Sequence, residues 1–270
     1  MYERREVFDQ TPLALVAAEV TFSDAPRLRK RAVLDDIAIA LEEWLPIAEQ
    51  TEEATVNLGP NLPLQMGGHV QGLRLMSSDR TAVLTVFPSR LTYETTRYSE
   101  FGVFRDEFLR CVTELNHQKI NPAVRRIGLR YIDEIRISGV GHDAHDWEPW
   151  VNPRLVDHLD IGPESAKPVR NEGLMMFDLG GGMGLNIRFA ALPTGLFVTA
   201  PNPVRQINDT DQPFFVLDFD GFREIEPAST VFLDTTIVRD TLEAVHPYAG
   251  EAFQESITDR SRALFRGGQA

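Results

Sequence analysis

The chain has 270 residues, of which 43% are hydrophobic and 25% charged, and its net charge is −13. This is the balance of an ordinary globular protein with enough chain for a substantial core. The negative charge disfavours binding of DNA or RNA by the chain alone, because it repels phosphate backbones. The single cysteine, Cys111, excludes an internal disulfide and a cysteine-rich zinc site within one chain.

The N-terminal residues predict neither a signal peptide nor a membrane anchor. The apolar run 13–18 is shorter than a signal-peptide core, and no stretch reaches the roughly 18 apolar residues of a membrane span. We therefore expect a cytoplasmic protein that binds no membrane.

Strand-like residue patterns recur along the whole chain and are joined mainly by short turns. The predicted strands are 12–22, 69–77, 80–88, 90–99, 124–137, 174–180, 184–192, 195–201 and 213–219. The polar segment 51–63 is predicted to be a loop. Because few helices separate these strands, we expect an α+β fold with a largely antiparallel sheet and helices packed on one side.

Helix signals are fewer. Ser23 and Asp24 cap a predicted helix that ends before Pro46, and residues 99–117 form an amphipathic helix. A short helical patch is predicted near 153–159. Asp234 is the predicted N-cap of a C-terminal helix that His246 and Pro247 interrupt, with a second helix starting at Pro247.

The order of elements suggests two similar halves, residues 1–120 and 121–270, in one compact unit. The predicted order of elements in each half is β-α-β-β-β-α, and the second half has room for one extra strand. An internal duplication is a hypothesis from this order alone, since the halves share no matching residues.

The stretch RRIGLRYIDEIRI, residues 125–137, is a strand with charges on one face. Ile127, Leu129, Tyr131 and Asp133 fall on the predicted core face, whereas Arg126 and Arg130 fall on the other. That second face is either a solvated surface with cross-strand ion pairs or a groove whose arginines hold a carboxylate or phosphate.

Two patterns could bind a metal. Asp218 and Asp220 share one side of a strand, as carboxylates that hold a divalent ion do. His142 and His145 form a His-x-x-His pattern in a predicted loop. The alternatives are a half-exposed strand and an exposed connection.

Trp147 and Trp150 lie close together in the same predicted loop. They are either exposed contacts for a protein partner or lids on the core. The glycines 180–182 and 184 are followed by a strand pattern rather than a helix, so they predict a hairpin turn and not a phosphate cradle. We expect no cofactor.

Three segments, IGLRYIDEI at 127–135, LDFDGF at 217–222 and FQESITDRSRALF at 253–265, resemble recurring segments of a family of bacterial proteins. The family is sporadically distributed and has no assigned activity. The resemblance implies no catalytic residues. The family's patchy distribution is similar to that of antitoxin, immunity and phage-defence components.

Three functions remain open on this reading. The first is a non-enzymatic interaction protein that binds an unknown protein partner, with association of two copies through the C-terminal helices also open. The second is a metal-dependent phosphoryl-transfer or hydrolytic enzyme that uses Asp218 and Asp220. The third is a protein that binds a small anion in a pocket between sheet and helices.

Overall fold

The computed structural model describes residues 6, 8–57, 65–163, 165–198, 203–205, 210–226 and 228–268, which form a nine-stranded antiparallel sheet and four α-helices. The strands are β1 (Leu13–Phe22), β2 (Ile47–Asn57), β3 (Gln65–Met76), β4 (Ala82–Phe87), β5 (Arg90–Thr95), β6 (Val124–Arg136), β7 (Asn171–Gly180), β8 (Met183–Leu192) and β9 (Phe214–Glu224). The helices are α1 (Arg31–Leu41), α2 (Phe101–His117), α3 (Thr235–Ser256) and α4 (Asp259–Phe265). The predicted α+β class with an antiparallel sheet is confirmed.

The strand order is β2-β3-β4-β5-β1-β6-β9-β8-β7, so β1 and β6 pair at the middle of the sheet. Residues 1–120 supply the five strands on one side and residues 121–270 the four on the other. Pairing of β1 with β6 therefore joins both halves into one continuous sheet. An internal duplication stays a hypothesis, because the first half contributes five strands and the second half four, and the halves share no residue pattern.

Helix α3 packs on one face of β6, β8 and β9. Its buried residues include Val238, Leu242, Val245 and Ala249. A Cβ built on Gly221 of β9 would lie 3.0 Å from the Val245 Cβ, so any larger residue here would push α3 away from the sheet by a few tenths of an ångström. The apolar side of α3 thus covers the sheet.

The predicted interruption of this helix at Pro247 is wrong. Helix α3 runs without a break from Thr235 to Ser256 with Pro247 inside it. Proline removes one backbone donor and crowds the preceding turn. The buried side of the helix on either side of Pro247 holds it against the sheet despite that loss.

The predicted loop at 51–63 is also wrong over its first residues, because β2 extends to Asn57 and residues 58–63 lie outside the described part. Glu49 and Glu53 of β2 pair with Arg80 and Arg90 at 3.3 and 3.0 Å. An edge strand can carry such charges, since one of its edges has no neighbouring strand. The predicted strand 195–201 is absent over residues 195–198, and the rest of it is not described.

Two predictions at the ends of helices and strands are confirmed. The Asp234 carboxylate accepts hydrogen bonds from the backbone N–H groups of Thr236 and Ile237 at 2.8 and 2.9 Å, which confirms the N-cap. Glycines 180–182 all have positive φ and turn β7 into β8, as predicted. Near Ser23, however, the chain forms a 3-10 turn at Pro26–Arg29 before α1, which ends earlier than expected.

None of the helices in the described part of the chain has the length and apolar content that crossing a membrane requires.

Candidate ligand-binding site

The arginines and aspartates singled out in the sequence pair with each other on the sheet face opposite the helices. The Arg130 Nε and Nη2 atoms donate to the two Asp218 carboxylate oxygens, both at 2.7 Å. Arg126 Nη2 lies 2.8 Å from each oxygen of Asp220. Hydrogen bonding to Asp218 raises the pKa of the Arg130 guanidinium further. Each predicted anion-binding group is therefore already bound to a predicted metal-binding group.

The pairing is diagonal across β6 and β9. Arg130 stands directly opposite Asp220 in the strand register, yet its guanidinium reaches Asp218 two residues away. The Asp218 side chain is fully buried beneath it and is also 3.5 Å from Arg188 of β8. Bidentate geometry of this kind favours a structural ion pair.

The two histidines predicted to bind metal lie apart from these aspartates in the 141–152 loop. His142 is exposed, and His145 Nδ1 lies 3.0 Å from the Asp143 carboxylate. Within the described residues, no three His, Cys, Asp or Glu side chains are grouped so that they could hold a metal ion.

Trp147 and Trp150 lie in the core, as the lid alternative predicts. The Trp147 ring packs on Phe215 of β9 with ring centroids 5.7 Å apart. Trp150 is covered by Arg260 of α4, whose guanidinium carbon is 4.1 Å from the ring centroid. The loop that carries both indoles thus ties the sheet to the C-terminal helices.

A cavity of about 210 Å³, open to solvent on one side, lies at one end of β6, between the sheet and α3. No sequence pattern had marked it. Its walls come from the N-terminal residues, β1, the segment before α2, β6, β9 and α3. The lining residues are Glu6, Phe8, Thr11, Leu13, Tyr98, Ser99, Glu100, Tyr131, Asp133, Phe219, His246, Ala249, Gly250, Phe253 and Gln254.

Asp133 is the unusual member of this wall. Its residue surface is 4% exposed, and the carboxyl makes no side-chain hydrogen bond or ion pair within the described part of the chain. Burial raises the pKa of Asp133 from 3.8 to about 8, with Arg205 opposing and Asp218 adding to the rise. Neither Asp133 oxygen is among the fully enclosed, unpaired side-chain atoms of the described residues, so the carboxyl reaches the cavity. A largely buried acid of raised pKa in a cavity wall marks a candidate functional group.

Tyr131 and His246 form the polar wall beside this carboxyl. The Tyr131 hydroxyl lies 2.9 Å from His246 Nδ1 across the gap between β6 and α3. The His246 ring stacks on Phe101 of α2, with centroids 4.0 Å apart and planes 5° apart. Strand, histidine and helix are thereby held in a fixed arrangement around the cavity.

Sequence reasoning missed the cavity, although one signal for it was present. The alternation of β6 placed Asp133 on the core face. Burying an acid there costs free energy, so its presence indicates a functional role. His246 appeared isolated in the sequence, because its neighbours in space, Tyr131 and Phe101, lie more than a hundred residues away.

No protein-family model matches this chain, and a comparison with curated proteins finds no similar sequence. The family resemblance therefore stays a prediction.

Proposed function

We propose that this chain is a non-enzymatic protein that binds a small molecule in the cavity between β6, β9 and α3. The observation that carries the proposal is the Asp133 carboxyl, which is buried, lines the cavity and has no partner among the described residues. A ligand in the cavity that donates a hydrogen bond to this carboxyl, or offsets its charge, would gain free energy on binding. Largely apolar cavities with a few polar groups are the usual form of small-molecule sites.

This proposal corresponds to the third function that the sequence left open, in which a small ligand binds in a pocket between the sheet and the helices. The site is a different one from that expected, because Arg126 and Arg130 lie on the opposite face and are paired with aspartates. The same ion pairs weigh against the metal-dependent alternative, since a metal at Asp218 or Asp220 would have to displace the arginine bound to that carboxylate.

The test is a thermal-shift and calorimetric screen of small molecules against the wild type and two matched variants. Ala249→Leu adds volume to the cavity wall, whereas Ala252→Leu makes the same change on α3 outside this cavity. We expect at least one compound to raise the melting temperature by about 5 °C when it is present at a hundred times its Kd. The shift should vanish in Ala249→Leu and persist in Ala252→Leu. A shift that Ala249→Leu retains would contradict the proposal.

A second candidate function, association of two copies of this chain, is favoured by the edge strand β7. In the described part of the chain β7 pairs with β8 alone, which leaves its other edge unpaired. Its exposed side chains include Leu174 at 53% and Met176 at 72% exposure. An unpaired apolar edge readily adds another strand.

Charge complementarity selects a second copy as the added strand. Antiparallel pairing about a two-fold axis at Leu174 would place Arg170, the residue before β7, opposite the partner copy's Asp178 at both ends of the interface, because 170 and 178 are equally far from 174. Arg170 would then exchange its exposed pair with Glu172 for one across the interface. We expect light scattering to show a dimer that Arg170→Asp and Asp178→Arg each weaken and that the double variant restores. A monomer at all concentrations would rule this association out.

A further inference from the structure

We infer that the ligand of the Asp133 cavity is a small organic cation, such as a protonated amine or a quaternary ammonium ion. This inference rests on the proposed function and adds the chemical class of the ligand.

The carboxyl groups in the described lining of the cavity outnumber its cationic groups. Three of its lining residues are acidic, namely Glu6, Glu100 and Asp133, and its described lining contains no lysine or arginine. Arg266 pairs with Glu6, with an Nη2–Oε2 distance of 2.9 Å, so Asp133 and the exposed Glu100 are the acids left for a ligand. The acidic lining repels an anion and attracts a cation, while Arg266 and Arg262 contact the lining residues Glu6 and Gln254.

Five aromatic rings line the remaining wall. They are Phe8, Tyr98, Tyr131, Phe219 and Phe253. Tyr98 and Tyr131 meet edge to face with centroids 5.8 Å apart, and Phe219 and Phe253 do so at 6.3 Å. The faces of aromatic rings attract cations, and a set of such rings beside a carboxylate is the common way in which proteins hold an ammonium group.

The size of the cavity limits the ligand. An engineered protein cavity of about 150 Å³ binds benzene. At about 210 Å³, this cavity admits a molecule somewhat larger than one benzene ring. A single ring with an aminomethyl group, or an ammonium ion with short alkyl arms, fits that volume.

The affinity of the cavity for a cation should also depend on pH. A cation prefers the ionised carboxylate, so at low pH its binding must release the proton that burial keeps on Asp133. The other titratable groups that face the cavity are Glu6, Glu100, Tyr98, Tyr131 and His246, and Arg205 and Asp218 act on Asp133 from elsewhere. A protonated His246 would also repel a cation, which changes affinity with pH in the same direction.

The experiment uses three probes of one shape: benzylamine, benzyl alcohol and benzoate, which are cationic, neutral and anionic at pH values near neutrality. Calorimetry on the full chain should show benzylamine binding at least tenfold more tightly than benzyl alcohol, and no binding of benzoate. Asp133→Asn, which keeps the shape of the side chain, should lower the affinity for benzylamine to about that for benzyl alcohol, so that the ratio of the two affinities is the readout. Ala249→Leu should abolish binding of both.

A pH series with tetramethylammonium isolates the protein's own titration, because the charge of this ion does not depend on pH. Affinity should fall by roughly a hundredfold from about pH 9 to about pH 6 in the wild type. His246→Gln should keep most of this dependence, and Asp133→Asn should lose it.

The outcomes separate the two proposals. If benzyl alcohol or benzoate binds in a manner that Ala249→Leu abolishes, but benzylamine has no advantage, the cavity is a binding site and the cation inference is wrong. If none of the probes binds the wild type at millimolar concentration, the cation inference is wrong as well. If, in addition, the wider screen finds no compound sensitive to Ala249→Leu, the proposed function is also wrong.

Discussion

Asp133 and Glu134 are neighbours in β6, yet their carboxyl groups lie on opposite faces of the sheet, and among the described residues only Glu134 has a side-chain partner. Glu134 lies 2.7 Å from Arg136 Nη2 and 2.9 Å from Arg205 Nη1, and it accepts backbone hydrogen bonds from Phe197 and Val198. Asp133 faces the cavity, and no described residue forms such an ion pair or hydrogen bond with its carboxyl. The two acids are similarly buried but differ in their hydrogen-bond and ion-pair partners. We therefore assign a binding role to Asp133 and a structural role to Glu134.

The unpaired Asp133 should make stability depend on pH. Burial raises its pKa from 3.8 to about 8. Between these values the folded protein keeps a proton that the unfolded chain has lost, so this group lowers stability progressively as pH rises and has its full effect above about pH 8. Asp133→Asn should remove the effect. We expect the variant to gain on the order of a few kcal/mol relative to the wild type between about pH 5 and about pH 8. Urea unfolding at both pH values measures this, and parallel pH profiles for the two proteins would refute it.

The paired Glu134 should behave in the opposite way. Glu134→Ala leaves the half-buried guanidiniums of Arg136 and Arg205 without their carboxylate, so we expect a loss of about 3 kcal/mol in the free energy of unfolding. Glu172→Ala is the matched control, because its pair with Arg170 is exposed on both sides. The control should change stability by less than about 0.5 kcal/mol. Equal effects in denaturant unfolding would show that burial of the Glu134 pair does not matter.

Metal ions provide a test of the ion pairs opposite the helices. Asp218→Asn should destabilise the fold by about 2–4 kcal/mol, because Arg130 loses a bidentate partner. Mn²⁺ or Mg²⁺ should leave the melting temperature of the wild type unchanged, and a chelator should do the same. A metal-dependent shift in melting temperature that disappears in Asp218→Asn would instead support the metal-dependent enzyme hypothesis.

Pro247 lies inside α3, where it removes a backbone hydrogen bond. Pro247→Ala restores the N–H donor, so we expect an increase of about 1 kcal/mol or more in the free energy of unfolding, seen as a rise in melting temperature. The exposed Ala263 of α4 has no such defect, and Ala263→Gly should only destabilise. If Pro247→Ala destabilises the protein, the proline shapes α3 beside His246, and its effect on benzylamine binding should then be measured.

Short-range patterns in the sequence determined most of the local structure. Alternation along β6 placed Ile127, Leu129, Tyr131 and Asp133 on the core face, and the glycines at 180–182 predicted the β7–β8 turn. These features depend on neighbouring residues, so one sequence contains enough information for them. The antiparallel class followed in the same way from short connections between strands.

Only the tertiary structure decided which residues meet. Arg130 and Asp218 lie 88 positions apart and pair because β9 returns beside β6. Strand β2 escaped prediction because an edge strand carries little apolar pattern. The cavity required Glu6, Asp133 and His246 to converge from both ends and the middle of the chain. Each of these contacts depends on the packing of distant segments, and a linear pattern contains no information on which distant segments come together.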